Sequence, residues 1–218
     1  MKKTFIGMFA ILFSLMIALS SCNGCKKVEE VPANDSTLTN VAVTELVVEN
    51  LISMDRQDMY MNHAQDYRWF ETCMMLNDFL DEENDGSLAE VVNVFQAVIE
   101  RGSGFDTKVY KFQHFSDGTN VNDSINGFWV EDQPLNEEVI KLTYKEAYDK
   151  LMATNCPKPH SRYVILRKQV GPIDANPQYI FGNLRETVFV DAVTGEVSNV
   201  NPAFGPNFQL NKPLGEWP

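Results

Sequence analysis

Carboxylates are the side chains in this sequence with the most scope for chemistry. Two carboxylates with different pKa values can act as general acid and general base. The candidates for such a pair in the folded region are Asp66, Glu71 and Asp132. The sequence has no nucleophile elbow and no glycine-rich phosphate loop. A solvated acidic surface is the simpler interpretation of these carboxylates, so we expect no catalytic residue, no cofactor and no enzyme.

Two patterns suggest a metal ion, and neither is complete. The three histidines are far apart and form no zinc-binding frame: His63, His114 and His160. Alternating oxygen ligands followed by Gly86 are typical of the start of a calcium loop, with candidate ligands at Asp81, Glu83, Asp85 and Glu90. The twelfth position, where an EF-hand needs Glu, is Val92. The alternative is that Gly86 ends a helix and a capping box follows it, and we therefore expect no metal.

Two cysteines lie inside the folded region. Cys73 and Cys156 could form a disulfide in an exported protein, and two buried free thiols are the alternative. We expect free thiols at both positions.

The first residues of the chain have the pattern of an export signal. Lys2 and Lys3 precede an uncharged, mostly apolar run over residues 5–19. A membrane-spanning helix needs about 20 such residues, so this run is short for one. Leu19, Ser20 and Ser21 before Cys22 resemble the bacterial lipobox. That resemblance implies cleavage after residue 21 and a lipid on Cys22, which would anchor the chain to the cell envelope, most simply at the outer membrane.

The composition describes an acidic protein with a core. Of its 218 residues, 18 are Lys or Arg and 30 are Asp or Glu, which gives a net charge of −12. This charge argues against nucleic acid as a partner, because phosphate binding needs clustered cations. Apolar residues make up 44% of the chain, enough for a sizeable core. Residues 22–43 are polar and lack periodicity, and we expect them to be a flexible tether.

The first folded segment, residues 44–133, predicts a helix followed by antiparallel strands. Residues 44–81 contain no Pro or Gly and have apolar residues three and four apart, which favours helix. The β-branched run over 91–99 favours a buried strand. Residues 107–115 alternate in polarity and predict a second strand, and residues 125–131 predict a third.

The second segment, residues 134–200, repeats that order. A short strand is predicted over 139–142, and a capping box at Thr143 and Glu146 predicts a helix that buries Ala147, Tyr148, Leu151 and Met152. Strands are predicted over 163–169, 178–181 and 186–191, with a turn at Gly195 in positive φ before a short returning strand. We expect an α+β protein of two helix-plus-antiparallel-sheet halves, followed by a coil tail over 201–218.

The second segment resembles a PepSY-type domain. The resemblance is carried by Glu146-Ala147, by Tyr179-Ile180-Phe181, and by the hairpin from Val188 to Val197, which reads VFVDAVTGEV. It covers residues 139–200. The family implies a non-catalytic extracytoplasmic module, in some cases one that restrains a peptidase.

These features together predict a lipid-anchored binding or regulatory protein of a Bacteroidetes-type envelope, on its periplasmic or surface face. Its partners would be the membrane, through the lipid, and a protein or peptide. Two alternatives stay open: a hydrolase that uses the carboxylates, and a structural or assembly lipoprotein.

Overall fold

The first elements along the chain are a helix and a four-stranded meander. In the computed structural model the described residues are 45–206, without 82, 102–103 and 184–185, and without the side chains of 100–101 and 104–105. Helix α1 (Val48–Asp58) ends in a π-helical turn (Met59–His63). The strands that follow are β1 (Tyr67–Leu76), β2 (Leu88–Arg101), β3 (Gly104–Phe115) and β4 (Asn120–Asn126).

The second part of the chain contains a short strand, a helix and four further strands. A two-residue strand, β5 (Asp132–Gln133), leads to helix α2 (Tyr144–Met152). The strands after it are β6 (Tyr163–Gln169), β7 (Gln178–Gly182), β8 (Thr187–Asp191) and β9 (Val197–Ser198).

The strands form one antiparallel sheet, and within the described residues it has nine of them. The order is β4-β3-β2-β1-β6-β7-β8-β9, and β5 pairs with β6 beside this path. β1 and β6 meet in the centre with Glu71 opposite Arg167 and Met75 opposite Tyr163. The α+β class predicted from the sequence is therefore confirmed.

Both helices pack on one face of this sheet. Helix α1 buries Val48, Ile52 and Asp55, which lie one turn apart on one side. Helix α2 buries Ala147, Tyr148 and Leu151 with Tyr144, and its predicted capping box is present. Tyr144 N–H donates to Glu49 Oε1 at 2.7 Å, which joins the first turns of the two helices. The core lies between the helices and alternate residues of the central strands.

The predicted helix over 44–81 is correct for α1 and its π-helical turn but wrong from Tyr67 onward. Residues 67–76 form β1, which is covered on both faces and therefore lacks the alternation of a half-exposed strand. The register shifts between Trp69 and Glu71, so that Trp69 and Phe70 are both buried. This β-bulge produces apolar spacings that resemble those of a helix.

Two other strand predictions are wrong in position. The third strand of the first segment lies at Asn120–Asn126 and not at 125–131, because five of its seven residues are Asn, Asp or Ser, which have low strand propensity. Residues 137–139 form a turn, and no strand forms over 139–142. The N–H groups of Lys141 and Leu142 instead donate to Ala192 O. Met152, expected in the core, is 37% exposed.

The remaining strand predictions are confirmed. Strands β2, β3, β6, β7 and β8 lie within a few residues of their predicted positions. Gly195 has φ +75° in the turn before β9, as predicted. Of the predicted tail only residues 201–206 lie within the described range.

Candidate functional site

The face of the sheet away from the helices carries a cluster of ionisable side chains, which we name the carboxylate cluster: Glu71, Asp132, Arg167 and Cys73. β1 supplies Glu71 and Cys73, and β6 supplies Arg167 opposite Glu71. The β1–β6 ladder stops at this pair, and β5 then pairs with the next residues of β6, Asp132 lying opposite Gln169. The bulge in β1 therefore makes room for β5, which brings Asp132 to the end of the ladder.

One guanidinium lies between the two carboxylates of the carboxylate cluster. Arg167 Nε lies 3.1 Å from Asp132 Oδ1, and Arg167 Nη1 lies 3.6 Å from Glu71 Oε2. The Nε and Oδ1 atoms are both buried and are not aligned as a hydrogen bond, so their contact is an ion pair only. Cys73 Sγ–H donates to Glu71 Oε1 at 2.8 Å. The guanidinium of Arg167 thus faces two acidic groups.

Burial alters the protonation of this cluster. Removal from water is the main cause that raises the pKa of Asp132 to about 7; Arg167 opposes that shift and Glu71 adds to it. Burial, with the Glu71 carboxylate nearby, also raises the pKa of the Cys73 thiol well above its usual range. Cys73 therefore stays protonated at neutral pH and lacks the thiolate that a nucleophilic cysteine needs.

A tryptophan covers the carboxylate cluster. Trp129 Nε1–H donates to Asp132 Oδ2 at 3.2 Å, and Trp129 N–H donates to the side chain of Gln96. Glu71 and Asp132 are each only 5% exposed. A carboxyl group that titrates near neutral pH beside a second carboxylate has the composition of an acid–base pair. As the residues lie here, however, both carboxyl groups are buried, and one oxygen of Asp132 accepts the hydrogen bond from Trp129.

A second buried polar network fastens helix α1 to the opposite face of the sheet. His114 Nε2 lies 3.0 Å from both carboxylate oxygens of Asp55, and Asn93 Nδ2 donates to Asp55 Oδ2 at 2.7 Å. Two more hydrogen bonds extend the network: Thr72 Oγ1–H donates to Asn93 Oδ1, and Trp69 Nε1–H donates to Thr72 Oγ1. The hydrogen bond to Asp55 is the main cause that raises the pKa of His114. All five side chains are buried, so the network serves docking of the helix.

The calcium candidates do not come together. Asp81 contacts His160 Nδ1 at 2.9 Å, Asp85 Oδ1 accepts the N–H of Ser87, and Glu90 accepts from Gln113 in β3. Among the described residues no group of three or more His, Cys, Asp or Glu side chains could hold a metal ion. The absence of a metal from the protein stays a prediction.

A shallow depression of about 250 Å³ lies next to His160. The ring of His160 stacks on Phe79 with centroids 4.2 Å apart, and Tyr163 forms part of its wall. At this depression Asp81, one of the calcium candidates, is the hydrogen-bonding partner of His160.

The cysteines of the folded region are free thiols. Cys73 lies on the sheet face away from the helices, whereas Cys156 packs against the core between sheet and helices. The sheet lies between them, and they form no disulfide with each other in this structure. Cys22 and the tether lie outside the described residues.

The sequence named Glu71 and Asp132 as candidates, and the fold brings these two together. Asp66, the third candidate, is exposed ahead of β1. Sequence reasoning missed Arg167, Trp129 and the Asp55–His114 pair. Apolar and charged residues do not alternate in β6, which reads YVILRKQ, so the sequence did not indicate which face Arg167 occupies. Its partner depends on the register between distant strands.

Comparisons with family models, with curated proteins and with solved structures give no match for this chain. Among the described residues, no helix is long and apolar enough to cross a membrane. The resemblance to a PepSY-type domain stays a prediction.

Proposed function

We propose that this chain is a lipid-anchored, non-enzymatic binding or regulatory protein of a bacterial cell envelope. One observation carries the binding role. β4, which has no strand on its outer side among the described residues, and the loop after it expose large apolar side chains. Val121 and Ile125 in β4 are 50% and 52% exposed, and Phe128 and Val130 are 73% and 78% exposed. Exposed apolar residues concentrated at one place are typical of a surface that contacts another protein.

The state of the carboxylate cluster supports a binding role rather than an enzymatic one. The two carboxyl groups of the carboxylate cluster are buried, Trp129 donates to one of them, and the cysteine of the cluster is protonated at neutral pH. The β4 edge with residues 127–131 is, within the part of the chain that the structure describes, a surface open to a large partner.

A PepSY-like, two-part architecture is part of the same proposal. Its support is the repeated order of one helix followed by a meander, with the first strand of each meander paired to the other at the centre of the sheet. The hairpin that carries the resemblance supports it further. Asp191 Oδ1 accepts the N–H groups of Val193 and Thr194, and Gly195 N–H donates to Asp191 O. A PepSY-like role would be restraint of a peptidase or of another envelope protein.

Two measurements test this proposal on the full chain purified from membranes in detergent. Mass spectrometry of the mature N-terminus should find a lipid on Cys22 and no residue before it; an unmodified Cys22 joined to Ser21 would contradict the anchor. Affinity capture from envelope extract should retain a protein that a double variant, Phe128→Ser with Val130→Ser, does not retain. Met61→Ser is the matched control, because Met61 is 68% exposed on the π-helical turn. Capture that is equal in all three proteins would contradict the binding surface.

One observation favours a hydrolase as the second candidate. The pKa of Asp132 is near 7 beside Glu71, as an acid–base pair requires. Hydrolysis of chromogenic ester, phosphate or glycoside substrates that is lost in Asp132→Asn would favour the hydrolase over the binding protein.

A further inference from the structure

The backbone of β4 has one side that faces β3 and one that does not. Phe115 N–H donates to Thr119 O at one end of this ladder, and Gly127 N–H donates to Thr107 O at the other, both at 2.9 Å. Hydrogen-bonded pairs alternate along an antiparallel ladder. The odd-numbered residues of β4 therefore face β3, and the N–H and C=O groups of Asn120, Asn122, Ser124 and Asn126 point outward. No strand among the described residues pairs with that outward side.

The edge lacks the usual protection against pairing. Sheet edges are commonly blocked by proline, lysine or a bulge, and β4 contains no proline and no lysine. Its one charged residue is Asp123, and the Asp123 carboxylate accepts the outward N–H of Ser124 at 2.7 Å. Asp123 is therefore the one residue of β4 whose charge and hydrogen bond hinder the pairing of another strand with this edge.

The side chains of β4 set what could pair with it. Val121, Asp123 and Ile125 alternate with residues such as Asn120, whose side chain contacts His114 on the helix face. All three therefore lie on the face away from the helices. In a strand added antiparallel to β4, a central residue would lie opposite Asp123. The residues two positions before and after it would lie opposite Ile125 and Val121, which favour apolar partners.

Charge disfavours a second copy that pairs about Asp123. A twofold axis at Asp123 pairs Val121 with Ile125 of the second copy, but it also sets the two Asp123 carboxylates directly opposite each other in a close pair. Like charges in that position are destabilising. Each chain also has a net charge of −12. A basic residue opposite Asp123 avoids this repulsion, and by attracting the carboxylate it releases the N–H of Ser124 for the new ladder.

We infer that β4 accepts, by antiparallel strand addition, an extended segment of a partner protein with Lys or Arg opposite Asp123 and apolar residues two positions to either side. This inference rests on the proposed binding function and names the chemistry of the partner at that surface. The backbone N–H and C=O groups of Asn122 and Ser124 form the hydrogen bonds to the added segment, and Asp123 selects for a basic residue in it.

Three capped heptapeptides serve as probes, added up to millimolar concentration to the full chain in detergent. The first alternates threonine and valine around a central lysine, in the order TVTKTVT. The second has glutamate at the centre, and the third is the lysine peptide with alternate backbone amides methylated. Nuclear magnetic resonance follows the backbone N–H signals of Asn122 and Ser124 and their hydrogen exchange.

We expect the lysine peptide to shift both N–H signals and to slow their exchange. The glutamate peptide should bind about fivefold more weakly, as expected for exchanging an opposite charge for a like charge in a cross-strand pair. The methylated peptide should not bind. Equal binding of the lysine and glutamate peptides, or no change at either N–H, would overturn the inference. Slow exchange of Asn122 before any peptide is added would also overturn it, because the edge would then already be covered by its own chain or a second copy.

Two variants test the edge independently. Asp123→Lys should reverse the preference, so that the glutamate peptide binds more tightly, whereas Glu138→Lys, the same charge change at another exposed site, should not. Asn122→Pro removes an outward N–H without touching the bonds to β3, and should abolish binding while the melting curve stays within a few degrees of wild type. If that variant fails to fold, Asp123→Lys decides alone: an unreversed preference refutes the inference.

The outcomes also separate this inference from the proposed function. If the peptides fail while envelope capture still depends on Phe128 and Val130, the inference is wrong and the binding function stands. If the peptides bind as expected while capture retains nothing, the proposed function is wrong and the edge remains competent to pair.

Discussion

Replacing Asp132 with Asn should make the protein more stable relative to wild type as the pH rises. Burial raises the pKa of Asp132 from 3.8 to about 7 in the folded protein. Between these two values the folded protein binds a proton that the unfolded chain releases, so wild type loses stability as pH rises through that window. Asn cannot ionise, and it keeps an oxygen for Trp129 Nε1–H. The variant avoids this loss.

The size of the effect follows from the same two pKa values. One pKa unit corresponds to about 1.4 kcal/mol, so the full difference would amount to about 4 kcal/mol. Relaxation and water penetration around a buried charge reduce such costs. We therefore expect the variant to gain about 2 to 4 kcal/mol on wild type between pH 4 and pH 8, with the gain levelling off above pH 7.

Urea unfolding followed by tryptophan fluorescence at each pH measures this difference. The difference between the two proteins isolates Asp132, because the other titratable groups are common to both. Glu138→Gln is the control, since it removes one exposed carboxylate and should show no such trend. If Asp132→Asn is less stable than wild type at pH 8, the ion pair with Arg167 outweighs the cost of burial and the reasoning is wrong.

Three further predictions concern other parts of the fold. The contact with Asp55 raises the pKa of His114 in the folded protein. The stability that this contact contributes is therefore complete below about pH 6.5, and it is lost as the pH rises through the pKa that His114 has in the folded protein. His114→Gln should cost about 3 kcal/mol at pH 6 and less at pH 9, measured by urea unfolding; a loss that is equal at both values would contradict this. Gly195→Val should lower the unfolding midpoint by the equivalent of about 1 to 3 kcal/mol, because its φ is +75° and a side chain would also press on Lys150. An unfolding curve identical to wild type would mean that the turn tolerates a side chain. EDTA should not change the melting temperature, since the calcium candidates bind other partners; a fall of many degrees would restore the loop at Asp81–Asp85 as a metal site.

The second half of the chain was more predictable than the first because its signals are local. The capping box at Thr143 and Glu146 determines where α2 begins, and the glycine at 195 allows the turn. β1 carries no such signal. It is covered on both faces and contains a bulge at Phe70, so its apolar residues follow neither strand nor helix spacing cleanly.

The carboxylate cluster could be predicted only in part. Glu71 and Asp132 were candidates because they are acidic, on the same grounds as the exposed Asp66. What distinguishes the pair is Arg167, and its position depends on the register of β6 against β1 and on β5 replacing β1 beyond Glu71. Short-range sequence patterns contain no information about that register. The burial that shifts the pKa of Asp132 comes from the same long-range packing.

The central position of β1 has a consequence for how the chain folds. β2 follows β1 closely in sequence, but the other neighbour of β1 is β6, which begins only at Tyr163. Pairings between distant segments form slowly, because a long loop must close before the contacts reward it. Until β6 arrives, β1 has an open edge and an uncovered apolar face, and the partly folded chain is exposed to aggregation. We therefore expect the docking of β6 on β1 to limit the folding rate.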